Sequence, residues 1–275
     1  MKCRCAKTMV LALLIFYWVP MASAQSSQQN SLSVTGEAVG DSSSDVVSKD
    51  EENTYKEFFE ARAGNPLDVI ALGEQFQVQY PRSRYLGGVY DVLTLAYLQA
   101  GQPVKMIDAG SKALALNPDD ADVLPIMAWA IARQVNSGAG DGGLQLQKAA
   151  TYARCGLEVL NAMVKPASLD VASFLRVKND KLSLCHSSLG VVAAKMGRYA
   201  DAIPELTSAL ELSRVPDPVD FFVLGFADQQ TGRFAAARDA FEKCAASSSP
   251  VQSRCQAGID GVKNNSAATG SQGRR

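Results

Sequence analysis

One helical pattern occurs twice in the stretch from Leu184 to Ala246, which reads LCHSSLGVVAAKMGRYADAIPELTSALELSRVPDPVDFFVLGFADQQTGRFAAARDAFEKCAA. Gly190 and Gly197 in the first copy match Gly225 and Gly232 in the second, at a constant offset of 35 residues. Large apolar residues lie between these small ones, and prolines follow each copy. A fixed period of this kind is typical of stacked helical hairpins.

The doubled pattern resembles the tetratricopeptide repeat, a two-helix unit of about 34 residues. The residues that carry the resemblance, besides the four glycines, are Leu189, Ala193, Tyr199, Ala202, Leu206 and Ala209, matched by Leu224, Asp228, Phe234, Ala237, Phe241 and Cys244. A further unit is recognised upstream from Tyr90, Leu93, Tyr97, Gly101, Ala113 and Pro118. The resemblance implies an all-α fold, a right-handed solenoid of helix-turn-helix hairpins. Its clearest repeats are residues 87–120, 183–216 and 218–251.

We expect five hairpins and a final covering helix between residues 50 and 263, because each hairpin leaves an apolar face that the next must cover. The third hairpin is interrupted by an insertion from Asn136 to Gly143, and its second helix runs to about Met163. A second insertion, Lys165 to Val177, is predicted to hold one short helix near residues 169–175. The last helix is predicted at about residues 251–263, followed by a disordered tail over residues 264–275.

The N-terminal residues predict an export signal. Residues 1–24 combine an n-region of Lys2, Arg4 and Lys7, an apolar core and an Ala-Ser-Ala cleavage site before Gln25. A membrane anchor would need a longer apolar run without a cleavage site. Removal of the signal changes the formal net charge from −1 to −4. Residues 25–49 are polar and predicted to be a disordered linker. We therefore expect an exported protein, periplasmic or secreted, with no membrane span after cleavage.

Four cysteines remain after signal cleavage: Cys155, Cys185, Cys244 and Cys255. Outside the cytosol they are candidates for disulfides. The favoured pair is Cys244 with Cys255, which would tie the last repeat to the covering helix, and Cys155 would then pair with Cys185. The alternative is that all four are small buried apolar residues.

Neither a catalytic nor a metal site is predicted. Gly138 to Gly143 spells G-x-G-x-x-G, but that motif needs a preceding strand, and here it follows a helix. His186 is the only histidine and occupies a packing position of the repeat. No C-x-x-C or G-x-S-x-G motif occurs. We therefore expect no enzyme activity and no cofactor, and neither nucleic acid nor an anionic membrane surface is implied as a partner.

The remaining candidate is the concave face, which the resemblance places along the first helix of each hairpin. The residues mapped to it are Asp91, Leu95, Gln99, Trp129, Arg133, Ser187, Val191, Lys195, Phe222, Phe226 and Gln230. This mixed, aromatic-bearing surface suits a peptide or another protein of the cell envelope. The family's clamp for a C-terminal carboxylate is missing. Three alternatives stay open. The aromatic residues belong to the core, or the arm of residues 25–49 is the interaction element and the solenoid a spacer, or the chain is an enzyme with an unrecognised active site.

Overall fold

The computed structural model describes residues 48–135, 138 and 140–272, with side chains as far as Lys263. This part of the chain holds eleven helices and no strand. The helices are α1 Lys49–Ala61, α2 Pro66–Gln79, α3 Leu86–Gln99, α4 Pro103–Leu116, α5 Val123–Gln134, α6 Gly142–Ala162, α7 Val171–Lys195, α8 Tyr199–Leu212, α9 Pro218–Gln230, α10 Phe234–Ala245 and α11 Gln252–Gln272. The predicted all-α helical repeat is confirmed.

The helices pack in consecutive pairs, α1 with α2 through α9 with α10, and α11 packs on α10 and α9. The first helices α3, α5, α7 and α9 also contact one another in turn. The predicted signal peptide and nearly all of the predicted linker lie outside the described residues. Among the residues described, no helix combines the length and the hydropathy needed to span a bilayer.

Three hairpin turns share one glycine geometry. Gly101, Gly197 and Gly232 follow α3, α7 and α9 with φ of 66°, 73° and 76°. In each turn the residue after the glycine donates its backbone N–H to the carbonyl five residues earlier, at 2.9, 2.9 and 2.8 Å. This is the Schellman ending of a helix, which favours glycine because residues with a Cβ adopt positive φ at a cost. The shared turn explains why these glycines recur at one position of the repeat.

A second set of glycines lies where helices cross closely. A Cβ built on Gly190 in α7 would lie 2.5 Å from Cγ of Leu206 in α8. One built on Gly225 in α9 would lie 2.8 Å from the ring of Phe241 in α10. Both distances are shorter than carbon atoms tolerate, so the absent side chain is what allows the two helices of each hairpin to pack.

The helix α11 covers the end of the stack. Its Ile259 and Val262 are buried against Ala237 and Phe241 of α10. A disulfide joins Cys244 in α10 to Cys255 in α11, with the Cα atoms 5.9 Å apart. The structure thus contains the pairing favoured from the sequence. The helix continues to Gln272, whereas the sequence placed its end near Lys263 and a disordered tail after it.

Cys155 and Cys185 do not form the second predicted pair, since Cys185 is a free, buried thiol. Its sulfur lies over Gly156 of α6, 2.8 Å from where a Cβ would be. Burial raises the pKa of the Cys185 thiol to about 12. Cys185 therefore acts as a small packing residue.

The second predicted insertion is largely helical. The helix α7 is a single 25-residue element that begins at Val171, so no separate short helix is present near residues 169–175. The helix starts before residue 183, where the repeat unit was placed. The Asp170 carboxylate accepts a hydrogen bond from the Ser173 N–H at 2.9 Å and caps its N-terminus. Phe174 and Leu182 are buried and hold the added turns against the stack. Of the first predicted insertion, Gly142 and Gly143 belong to α6, and residues 136, 137 and 139 lie outside the described residues.

Candidate functional site

The residues predicted to line the concave face lie on four first helices: Asp91, Leu95 and Gln99 on α3, Trp129 and Arg133 on α5, Ser187, Val191 and Lys195 on α7, and Phe222, Phe226 and Gln230 on α9. Most of them fall into two clefts. The N-terminal cleft is lined by Phe59, Arg62, Asp91, Val92, Leu95, Ala96, Leu98, Gln99, Asp122, Ile126, Lys181 and Leu184. The C-terminal cleft is lined by Arg133, Val191, Ala194, Lys195, Val219, Phe222, Val223, Phe226, Val251 and Arg254.

The N-terminal cleft is the larger and more apolar of the two. It encloses about 520 Å³ between α1, α3, α5 and α7. Leu95 is 43% exposed there and Phe59 40% exposed, which is unusual for large apolar side chains held in a concave surface. Its charged lining is balanced, because Asp91 and Asp122 are matched by Arg62 and Lys181. The cleft therefore offers apolar contact without a strong net charge.

Asp91 lies in a carboxylate cluster at this cleft. Oxygens of Asp91, Asp120 and Asp122 all lie within 4.8 Å of one another. Burial, with the charges of Asp120 and Asp122, raises the Asp91 pKa to about 7, and Lys181 opposes the shift.

The neighbours of Asp91 have structural tasks. Asp120 Oδ1 accepts the backbone N–H groups of Asp122 and Val123 at 2.9 and 3.1 Å and so caps α5. Lys181 forms an ion pair with Asp122. Asp120 and Asp122 are thus engaged within the chain.

Arg133 lines the C-terminal cleft and is bound within the chain. Its Nη2 donates to Asp217 Oδ2 and to Asp220 Oδ1, both at 2.8 Å. Its Nη1 donates to Ser187 Oγ at 3.1 Å, and that hydroxyl donates to Asp220 Oδ1 at 2.7 Å. Asp220 is 5% exposed. We call these four residues the Arg133 network, which joins α5, α7 and α9.

Lys195 has a similar internal role. Its Nζ donates to the carbonyls of Ala132, Arg133 and Val135 at 2.7, 3.1 and 2.6 Å. These are the last carbonyls of α5, where a cation also interacts favourably with the helix dipole. Burial and the nearby Arg133 lower the Lys195 pKa. Arg133, Ser187 and Lys195 thus support the concave face from within and are only partly available to a partner.

The C-terminal cleft encloses about 440 Å³. Phe226 is 37% exposed in it and meets the Tyr199 ring edge-on, with centroids 5.6 Å apart. Arg254 of α11 lies over the Phe222 ring, its Cζ 4.3 Å from the centroid. Trp129 is half-buried beneath the Arg133 guanidinium, at 4.5 Å. None of the three predicted aromatic residues is fully buried, so the core interpretation fails for Phe226 and holds only in part for Phe222 and Trp129.

Sequence reasoning missed part of this cleft. Arg254 lies on the covering helix α11 and Val251 just before it, and this part of the chain has no repeat positions from which to map a groove. Val219 and Val223 lie on α9, but not at the repeat positions that were mapped to the concave face. Gln230 is exposed at the end of α9 and lines neither cleft. His186 also lines neither: its Nδ1 hydrogen-bonds Glu205 Oε2 at 2.7 Å and links α7 to α8.

Comparison with solved structures shows the fold. An assembly chaperone of RpL4 aligns over 82% of this chain and 99% of its own, with a TM-score of 0.51 and 10% identity. A thermophilic TPR protein from Thermus thermophilus aligns over 77% and 98%, with a TM-score of 0.46 and 17% identity. PilW, a type IV pilus biogenesis factor, aligns over 73% of this chain and 78% of its own, with a TM-score of 0.47 and 15% identity. No protein-family model matches the chain, and no curated protein is significantly similar in sequence.

Proposed function

We propose that this helical solenoid of the tetratricopeptide-repeat type is a non-catalytic interaction scaffold of the bacterial cell envelope, binding a peptide or partner protein through its concave face. The observation that carries the proposal is the pair of clefts. Each presents a large apolar side chain, Leu95 or Phe226, that remains well exposed within a concave wall. Exposed apolar residues gathered in a groove are typical of interaction sites.

The intramolecular contacts support a binding role. The Arg133 network and Lys195 hold three first helices in fixed relation. A preorganised groove binds with less loss of conformational entropy than a flexible one. The export signal predicted in residues 1–24 supports placement in the envelope, and an N-terminus at Gln25 in protein purified from the envelope fraction would test that placement.

Site-specific crosslinking in the native cell tests the binding face. A photoreactive residue is placed at Leu95 or Phe226 in the clefts, and at Val104 as the control. Val104 is on α4, a second helix of a hairpin, and is 82% exposed. We expect the same partner to be crosslinked from positions 95 and 226, and not from 104, as identified by mass spectrometry. Crosslinks only from Val104, or from none of the three, would contradict the proposal.

Deletion of residues 25–47 separates this proposal from the alternative that the N-terminal arm binds. The concave-face proposal expects the crosslinks from positions 95 and 226 to persist in the deleted protein, provided that the signal is retained. Their complete loss would transfer the binding role to the arm.

A further inference from the structure

The two clefts differ in charge. The N-terminal cleft has two carboxylates and two cations among its lining residues. The C-terminal cleft is lined by Arg133, Lys195 and Arg254, with neither Asp nor Glu among its lining residues. The whole chain has a formal net charge of −1, so this cationic lining is local and does not reflect composition.

Of the three cations, Arg254 is the one available to a ligand. Arg133 is paired with Asp217 and Asp220, and Lys195 donates to the carbonyls at the end of α5. Arg254 is exposed on α11 and stacks on Phe222. Within the described part of the chain, no carboxylate forms an ion pair with it. A guanidinium placed over an aromatic ring still has N–H donors for bidentate contact with a carboxylate.

The walls beside Arg254 are apolar. Phe222 and Phe226 of α9 face the valines of α7, α9 and the α11 approach, Val191, Val219, Val223 and Val251. A volume of about 440 Å³ accommodates a few side chains and is too small for a folded domain. The expected occupant is therefore a short segment with apolar side chains and an adjacent negative charge.

We propose that the C-terminal cleft docks a partner segment in which aromatic or branched apolar side chains enter between α7 and α9 and a neighbouring Asp or Glu pairs with Arg254. The inference rests on the proposed function and gives the partner its chemistry. The carboxylate can belong to an Asp or Glu within the partner segment and need not be its C-terminus, because Arg254 alone pairs with it.

A charge-swap experiment tests this inference. The probe is an amidated, fluorescein-labelled peptide of about twelve residues in which leucine pairs alternate with glutamate, and its counterpart carries lysine at the glutamate positions. Binding is measured by fluorescence anisotropy with the full mature chain. We expect the glutamate peptide to bind the wild type more tightly than the lysine peptide. Arg254→Glu is expected to lower the affinity for the glutamate peptide about tenfold and to raise the affinity for the lysine peptide.

Two variants serve as controls. Arg238→Glu changes the same charge on the exposed face of α10, away from both clefts, and is expected to leave both affinities unchanged. Phe226→Ala is expected to lower the affinity for both peptides, because it removes an apolar side chain from the cleft wall without changing the charge. Equal affinity for the two peptides, or an Arg254→Glu variant that binds the glutamate peptide like the wild type, would overturn the inference.

The remaining outcomes separate the inference from the proposed function. Binding that depends on Arg254 for vesicles containing phosphatidylglycerol, and not for the glutamate peptide, would replace the peptide with an anionic lipid and overturn the inference. Crosslinks from Leu95 and Phe226 in the cell, with no preference for the glutamate peptide, would leave the scaffold proposal standing and remove only the acidic partner.

Discussion

Arg133 connects three helices that are distant in sequence. Its bonds to Ser187, Asp217 and Asp220 span 54, 84 and 87 residues. Burial raises the Asp220 pKa, while Arg133 and the Ser187 hydroxyl oppose that shift. The arginine is therefore the positive partner of a carboxylate buried inside the solenoid, and its removal would leave that carboxylate uncompensated.

Replacing Arg133 by leucine is expected to destabilise the fold by about 3 kcal/mol, as is typical when one partner of a buried ion pair is lost. The free energy of unfolding is measured by chemical denaturation. The matched control is Arg238→Leu, which breaks an exposed pair with Glu242 and is expected to cost less than about 1 kcal/mol. Equal losses in the two variants would show that the network contributes no more than a surface pair.

Asp91→Asn tests the raised pKa of about 7. Between about pH 4, the ordinary aspartate pKa, and pH 7 the folded wild type keeps a proton on Asp91 that the unfolded chain has lost. The wild type is therefore expected to lose stability relative to Asp91→Asn as pH rises through this window, and the difference becomes constant above it. Melting temperatures at several pH values provide the measurement, with Asp201→Asn as the exposed control. A difference that does not vary with pH would contradict the assignment.

The sequence predicts which residues lie on the concave face, but it does not predict what those residues do there. Repeat spacing identifies which face of a helix is turned to the groove, so Arg133, Ser187 and Lys195 were found. It does not identify their partners, because Asp217 and Asp220 reach Arg133 only through the stacking of the intervening α7–α8 hairpin. Arg254 was missed because it lies on a helix that carries no repeat.

At the scale of helices, the close crossings depend on glycine. Gly190→Ala is expected to destabilise the fold by about 1–3 kcal/mol, since the added Cβ would meet both the side chain and, at 3.2 Å, the backbone nitrogen of Leu206. Gly87→Ala is the matched control: its nearest neighbour would be 3.9 Å away, and the helical alanine is expected to add about 0.5–1 kcal/mol of stability. Thermal unfolding of both variants measures the contrast. Changes of the same sign would contradict it.

Hairpin number and the covering helix followed from the sequence, because each is fixed by local spacing. The length of α7 did not follow. Its first turns, from Val171, lie outside the repeat, and only the Asp170 cap and the buried Phe174 show that they continue the helix. A period fitted to a shorter family unit assigns such turns to an insertion.

For the whole molecule, the end of the stack depends on α11. We expect removal of residues 252–275, combined with Cys244→Ser, to increase hydrogen exchange in α9 and α10 and to leave α3 and α4 unchanged, because repeats are stabilised mainly by their neighbours. Exchange followed by mass spectrometry measures this, with Cys244→Ser alone as the control. A uniform increase along the chain would show instead that the stack unfolds as one unit.

The Arg133 network also has a mechanical consequence. A plain solenoid behaves like a spring in which each coil is attached only to the next, so a pulling force applied at its ends releases one hairpin at a time. Arg133 attaches α5 directly to α9 and so bypasses the α7–α8 hairpin. Under force, the third, fourth and fifth hairpins are therefore expected to yield together in a single large step, while the first two lengthen separately.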